Sequence, residues 1–302
     1  MFSHDIIKKR ILIFGVNGLL GQSLVKFFSQ NNNSEVLGCS VEQNSFLDNF
    51  EYQRCDITKR DEVKDIIYNF YPDVIINAAA FTNVDGSEKE KEIAWKVNVK
   101  GVEYLAETCR VMDTQLVHIS TDYIFDGENG PYSESDTPNP LGYYGRTKLA
   151  SENALKISGA NCTILRTNVL YGVCKGKADF VRWLIGQLKV NKSVKIVTDQ
   201  INNPTFVRDL VQAISKAIEF KKTGIFNIGG REFISRYDFS LLIADFFGLK
   251  KNLIDPILTK ELNQQANRPL KSGLIILKAE TELGYKPHSI KESLALIKKE
   301  LC

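Results

Sequence analysis

The segment Ile11-Leu-Ile-Phe-Gly15-Val-Asn-Gly18-Leu-Leu-Gly21 constrains this chain more than any other. An apolar run passes into a glycine turn, and an amphipathic stretch, Leu19 to Ser29, follows it. Strand, tight turn and helix in that order open a βαβ unit. In such a unit Gly15 permits the turn, Gly18 lets backbone approach a pyrophosphate, and Gly21 lets the helix pack against the sheet, its N-terminus facing phosphate. Asn17, Leu19 and Leu20 fill the same loop and first helical turn and are candidate contacts to a dinucleotide. The spacing is GxxGxxG rather than GxGxxG, and a glycine turn also occurs in α/β proteins without a cofactor. Its place between first strand and first helix favours the cofactor.

The rest of the first half continues the pattern. Short apolar runs at Glu35 to Cys39, Tyr52 to Cys55, Val74 to Asn77, Leu116 to Ile119 and Thr163 to Arg166 alternate with helix-like stretches at Arg60 to Phe70 and Glu88 to Val111. This predicts an α/β fold, a Rossmann-like doubly wound parallel sheet. After Tyr171 the alternation loosens. A Gly/Lys-rich stretch, Gly172 to Lys177, precedes helical patterns at Phe180 to Leu188, Phe206 to Phe220 and Tyr237 to Phe247. We read residues 1–170 as a dinucleotide-binding domain. Residues 171–302 are expected to form mostly a smaller C-terminal substrate lobe, with the chain crossing back to the sheet once or more.

Charge and cysteine usage narrow the function classes. Lys and Arg number 39 against 36 Asp and Glu, a balance that offers no electrostatic footprint for nucleic acid or an anionic membrane. The six cysteines, Cys39, Cys55, Cys109, Cys162, Cys174 and Cys302, contain no CxxC or Cys/His cluster, so reduced thiols are expected and no metal site is. The stretch Met1 to Arg10 is mixed and charged, and no segment reaches the ~20 apolar residues of a membrane span. A cytoplasmic protein without nucleic-acid or membrane partners is the expectation.

Several strand ends offer further contacts. The second strand ends at Cys39-Ser40, where an acidic residue would hold the ribose diol of NAD. Ser40 neither repels a 2′-phosphate nor grips a diol, and Glu42 would disfavour a phosphate if it faced inward. NADP is our reading, with NAD as the alternative. Asp56 and Ile57 follow the third strand, where they could reach the adenine; Asp56 before Thr58 equally suits a turn. Ala78, Ala79 and Ala80 end the fourth strand, and small side chains there let backbone pass close to a ligand.

Catalytic chemistry appears after the fifth strand. Ser120-Thr-Asp-Tyr-Ile-Phe125 carries hydroxyls, and Tyr144-Gly-Arg-Thr-Lys148 opens a helix. Residues four apart share a helix face. A lysine ammonium there favours the phenolate and would bring the tyrosine pKa down from ~10. Tyr144 then serves as general acid, Lys148 as its modulator, and Thr121 as a hydroxyl donor to a developing oxyanion. The same spacing recurs at Tyr171-Gly-Val-Cys-Lys175, but glycines and lysines surround it, whereas Tyr144 leads into the helix-forming run Thr147 to Leu155.

Gly15 to Gly21, Asn77-Ala-Ala-Ala80, Ser120 to Phe125 and Tyr144 to Lys148 together resemble the extended short-chain dehydrogenase/reductases. More narrowly, Phe81-Thr-Asn-Val-Asp85, Asp126-Gly127, Asp199-Gln200 with Pro204-Thr205, and Arg268-Pro-Leu-Lys-Ser272 resemble the dTDP-4-dehydrorhamnose reductase family, over nearly the whole chain. That resemblance implies reduction of the 4-keto group of a dTDP-linked 6-deoxyhexose by NADPH or NADH, in a monomer or homodimer. It makes Thr121, Tyr144 and Lys148 the catalytic set and Asn98, in Val97-Asn-Val-Lys-Gly101, a supporting residue of the cofactor site. Thr82, Val84, Thr121, Asp122, Tyr123, Asn168 and Arg268 are the implied substrate contacts. A guanidinium fork at Arg268 suits a diphosphate, or else belongs to the surface before a proline turn.

Two departures and three alternatives accompany the resemblance. Where these reductases often carry Arg-Thr-Ser-Trp, this chain reads Arg166-Thr-Asn168-Val169, so a sugar-facing aromatic is absent. Ser23 stands where some members place a metal-binding glutamate. A 4,6-dehydratase needs an acid and a base, Asp-Glu, directly after the threonine, and Tyr123 follows Asp122 instead. A sugar-nucleotide epimerase shares the tyrosine and lysine. A non-catalytic NADP-binding regulatory subunit, like that of methionine adenosyltransferase, shares the fold. Arg182 and Trp183 read as helix-packing residues.

Overall fold

The computed structural model describes residues 8–176 and 178–301. Most of the charged N-terminal stretch, Lys177 and Cys302 therefore lie outside the described residues. Strand β1 (Lys9–Phe14) leads through the glycine loop into α1 (Leu19–Ser29), which lays Leu20, Leu24, Val25 and Phe28 on the sheet. β2 (Ser34–Ser40) and β3 (Glu51–Arg54) follow, then α2 (Arg60–Phe70), with Val63, Ile66, Ile67 and Phe70 buried at helical spacing, and β4 (Val74–Asn77). β3 begins one residue earlier than its apolar pattern predicts.

The predicted single helix from Glu88 to Val111 is four pieces instead. α3 (Val84–Lys89) stops at Glu90, whose φ of −104° and ψ of 49° are not helical, and α4 (Lys91–Trp95) passes into one π-helical turn, Lys96–Lys100, before α5 (Gly101–Met112). Hydropathy periodicity does not register this break, because buried apolar residues, Ala94, Val99, Val102 and Leu105, recur through the π-helical turn. The break has a packing counterpart: a Cβ on Gly101 would lie 2.8 Å from Ile57 Cγ1, so the helix runs hard against the turn after β3.

β5 (Gln115–Thr121), α6 (Tyr143–Ser158) and β6 (Cys162–Thr167) complete the first half. Beyond them come α7 (Phe180–Lys189), β7 (Val194–Val197), β8 (Ile201–Asn202), α8 (Val207–Glu219), β9 (Gly224–Ile228), β10 (Ile234–Ser235), α9 (Arg236–Phe246), β11 (Ile254–Ile257), α10 (Leu277–Leu283) and α11 (Ile290–Leu301). The central sheet has the order β3-β2-β1-β4-β5-β6-β9, with every neighbouring pair parallel. β9 returns the chain to this sheet from beyond residue 171. Two small two-stranded sheets, β8 with β10 and β7 with β11, lie apart from it.

Alternate residues of each central strand feed opposite cores. Ile11, Ile13, Ile76, Val117 and Leu165 pack on the side of α1, α8 and α11, while Leu12, Phe14, Ile75, Leu116 and Ile164 pack on the side of α2 and α5. Burial on both faces explains why the strands read as continuous apolar runs. Strand order reverses between β1 and β4, and the crevice at the strand C-termini there is where open α/β sheets take ligands. Among the described residues no helix is long and apolar enough to cross a membrane. Cys39, Cys55 and Cys109 are buried, unpaired thiols.

Candidate active site

The glycine loop fits a pyrophosphate by its backbone. Gly15 has φ +84°, a region that suits glycine, and a Cβ there would meet Ala79 N at 2.6 Å; one on Gly21 would meet Gly15 O at 2.1 Å. Gly18 stands at the N-cap of α1 and no side chain caps the helix, so its first-turn N–H groups are open to an anion. Asn17 holds the loop in place: Nδ2 donates to Glu42 Oε2 and to Asn44 O, both at 3.1 Å, and Oδ1 accepts from Phe46 N at 2.9 Å. Ser40 Oγ accepts from Asn17 N at 3.2 Å.

A cavity of about 540 Å3 opens from this loop across the ends of β4, β5 and β6. It brings together Asn17, Gly18, Leu19 and Leu20, the Ala78–Ala80 segment, Thr82 and Val84, the run Thr121 to Tyr123, Tyr144, Lys148 and Asn168. Gly15, Gly21, Ser40, Asp56, Ile57, Asn98 and Arg268 do not line it. Asp56 Oδ1 accepts from Thr58 N at 2.9 Å and Thr58 Oγ1 at 2.8 Å, a turn geometry, and Ile57 is buried against Gly101. Asn98, presented by the π-helical turn, accepts from Phe81 N at 2.8 Å and donates to Thr147 Oγ1 at 2.9 Å. It thereby ties the segment after β4 to α6.

Tyr144 and Lys148 lie in the first two turns of α6, facing the end of β5. The helix can pass this close because Gly145 carries no Cβ, which would stand 2.1 Å from Tyr123 O. Burial pushes the Tyr144 phenol above its ordinary value, a hydrogen bond from Thr121 opposing it. This differs from the sequence expectation of a lowered phenol. Lys148 Nζ is turned to Ile119 O at 2.6 Å and to His118 Nε2 at 3.2 Å, and burial lowers its own pKa to about 8. Desolvation thus dominates the shift of both groups.

Asp122 is buried beside Thr121, accepting from Thr121 Oγ1 at 3.1 Å and from Ser272 Oγ. Burial raises it to about 7 against those hydrogen bonds and the pull of Arg236. Arg268 pairs instead with Asp85, Nη2 to Oδ2 at 2.7 Å and Nη1 to Oδ1 at 3.1 Å. That pairing holds the Asp85 carboxyl below its usual value. Arg268 lines a second cavity, of about 1000 Å3, with Asp126, Asp199 and Lys271. Asn168 Nδ2 donates to Asn203 Oδ1 at 2.9 Å. Val169 lines the first cavity in a left-handed conformation, φ +35°.

The competing tyrosine has a structural place. Tyr171 is buried, bridges to Phe206, and shares a 2.7 Å hydrogen bond with Ser293. Trp183 lies tilted against Phe180 with ring centroids 5.8 Å apart, and Arg182 pairs with Asp179 at 3.4 Å. Sequence reasoning missed Arg236, which lines the cavity with its guanidinium 4.5 Å from the Phe180 ring. A signal for its place was present: Ser235 and Asp238 have the spacing of a helix N-cap, and Ser235 Oγ accepts from Asp238 N at 2.9 Å. It marks the helix start but not the cavity. His118, on β5, and Ser272, 150 residues from Asp122, carried no local signal.

The family described as RmlD substrate binding domain matches residues 9–302. A dTDP-4-dehydrorhamnose reductase of Aggregatibacter actinomycetemcomitans is 36% identical over 96% of this chain and 98% of its own length. The methionine adenosyltransferase 2 subunit beta of Bos taurus is 33% identical over 96% of this chain and 88% of its own. The crystal structure of a dTDP-4-dehydrorhamnose reductase from Bacillus anthracis, in complex with NADP, superposes with a TM-score of 0.88 at 29% identity, covering 97% of this chain and 99% of that one.

Proposed function

We propose that this chain, which belongs to the RmlD substrate binding domain family, is an NAD(P)H-dependent oxidoreductase that reduces the 4-keto group of dTDP-4-dehydrorhamnose. The observation that carries this reading is one cavity joining an uncapped, glycine-lined helix N-terminus to Thr121, Tyr144 and Lys148. A bound nicotinamide dinucleotide, NADPH with NADH as the alternative, supplies the hydride. Leu19 and Leu20 would hold its pyrophosphate through backbone N–H groups, Gly18 would let it approach, its own N–H donating to Gly15 O at 3.1 Å, and Ala78–Ala80 would offer backbone contact.

In this reading Thr121 Oγ1 turns its proton from Asp122 to the carbonyl oxygen when substrate binds, and Tyr144 delivers the proton as that oxygen gains charge. Lys148 supplies positive charge behind the tyrosine. Arg236 places a cation in the sugar-nucleotide part of the cavity, opposite the carboxyl of Asp122, while the charge of Arg268 is already balanced by Asp85. We assign dinucleotide binding to residues 1–170 and sugar-nucleotide binding mostly to residues 171–302. We place the enzyme among the extended short-chain dehydrogenase/reductases of the cytoplasm, as monomer or homodimer; buried unpaired thiols suit a reducing compartment.

The test is turnover. Purified protein with dTDP-4-dehydrorhamnose should oxidise NADPH, followed by loss of its near-ultraviolet absorbance, and yield one equivalent of dTDP-rhamnose. Saturable cofactor binding with no oxidation on any 4-keto sugar nucleotide would favour a non-catalytic subunit, in line with the likeness to methionine adenosyltransferase 2 subunit beta.

A further inference from the structure

His118 lies at the hub of a buried chain that the reaction described above does not use. Asn77, at the end of β4, accepts from Ala79 N through Oδ1 at 3.1 Å, and this fixes the amide so that Nδ2 faces His118 Nδ1 at 3.2 Å. An amide nitrogen only donates, so Nδ1 must accept. Burial keeps the imidazole neutral, and its one proton therefore sits on Nε2. Ser151 Oγ, 3.2 Å from Nε2, has spent its own proton on Lys148 O at 2.7 Å and is left as an acceptor.

The consequence falls on Lys148, whose Nζ is also 3.2 Å from Nε2. An ammonium has no lone pair, so it and Nε2–H confront each other as two donors, whereas a neutral amine accepts. The opposite tautomer moves the conflict to Asn77 without removing it. We propose that His118 is a positioning residue for Lys148: its Nε2–H, set by the Asn77 amide, faces the lysine nitrogen and favours the amine over the ammonium. The inference rests on the catalytic reading of Lys148 for its purpose, which is to set the pH above which the ammonium behind Tyr144 is lost, and on the hydrogen bonds alone for its content.

Other groups facing Lys148 are few. From its own helix come Glu152, paired with Arg166 of β6 at 2.8 Å, and Tyr144, which lines the same cavity; from β5 comes His118, and from the turn after it Asp122, also on that cavity and bonded to Thr121 and Ser272. Of these, only His118 touches Nζ with a titratable side chain. The same chain links Lys148 to the backbone at Ala79, part of the cavity wall beside the glycine loop.

The sequence has three histidines, which makes the tautomer measurable by long-range proton–nitrogen NMR on the wild-type protein, assigned with His118→Asn. A pyridine-like Nδ1 and pyrrole-like Nε2, unchanged between about pH 6 and 9, are expected; a pyrrole-like Nδ1 would overturn the proposal. Lys148 is then titrated in protein carrying 13C at the lysine ε carbon, its signal assigned by loss in Lys148→Arg. Glutamine places an amide N–H where Nε2 stands, and asparagine does not reach. His118→Gln should therefore leave the Lys148 titration within ~0.3 unit, and His118→Asn should raise it by about one unit. Equal titration in all three proteins would overturn the proposal. Neither readout uses substrate, so a protein that shows these shifts yet fails to turn over contradicts the catalytic reading and not this one.

Discussion

Tyr144→Phe is expected to lower kcat by ~10²- to 10⁴-fold, the range for loss of a positioned proton donor, while the dissociation constant for NADPH changes by no more than about twofold. The substitution removes one hydroxyl and keeps the ring, which packs edge-on to Tyr123 with centroids 5.9 Å apart. The cavity wall is therefore preserved. Because burial keeps this phenol protonated well above neutral pH, it remains a donor across the working range. The alkaline limb of wild-type kcat belongs to Lys148, whose ammonium is lost as pH rises through about 8. Steady-state rates from pH 6 upward check both points. Undiminished turnover by the phenylalanine variant would remove Tyr144 from the mechanism.

Glu152→Ala is expected to cost about 3–5 kcal/mol of folding stability, the range for breaking a buried ion pair from one side. Glu152 is fully buried and accepts from Arg166 Nη2 at 2.8 Å and Nε at 3.0 Å, and from Ser120 Oγ at 2.6 Å. Removing it leaves the Arg166 guanidinium, 1% exposed, without its counter-charge, although Glu134 O stays within reach. Replacing both partners by apolar residues, Glu152→Leu with Arg166→Met, should recover much of the loss, because no lone charge remains. Urea unfolding of the three proteins measures this. A loss below about 1 kcal/mol in the single variant would mean that water or a rearranged partner takes the place of the carboxylate. The network lies directly behind Ser120 and Thr121, so it also holds the end of β5 where the hydroxyls emerge.

How far the fold could be read in advance follows from where the information sits. α1 and α2 begin and end at the predicted residues because each carries a full apolar stripe, and β4 does because all four of its residues are buried. The broken helix between Glu88 and Val111 could not be seen, since a π-helical turn shifts the stripe without interrupting it. The site shows the same division. The glycine loop and the Tyr144–Lys148 pair are local patterns, and the helix-forming run that follows Tyr144 distinguishes that pair from Tyr171 and Lys175. Arg236 and Ser272 come to the cavity and to Asp122 from far along the chain, and Arg268 meets Asp85 across 183 residues. Such pairings depend on the lobe's packing, for which spacing along the sequence carries no sign. The direction of the Tyr144 shift was likewise hidden, because it is set by how completely the folded site excludes water.

The central claim is that a hydride goes to C4 of the sugar while the side chains of this cavity supply the proton. NADPH dideuterated at the nicotinamide C4 tests it most directly, with dTDP-4-dehydrorhamnose as substrate and the product examined by NMR and mass spectrometry. One deuterium per product molecule, located at sugar C4, is the predicted result. Product carrying protium at C4, or interconversion of 4-epimeric sugar nucleotides without net loss of NADPH, would contradict it.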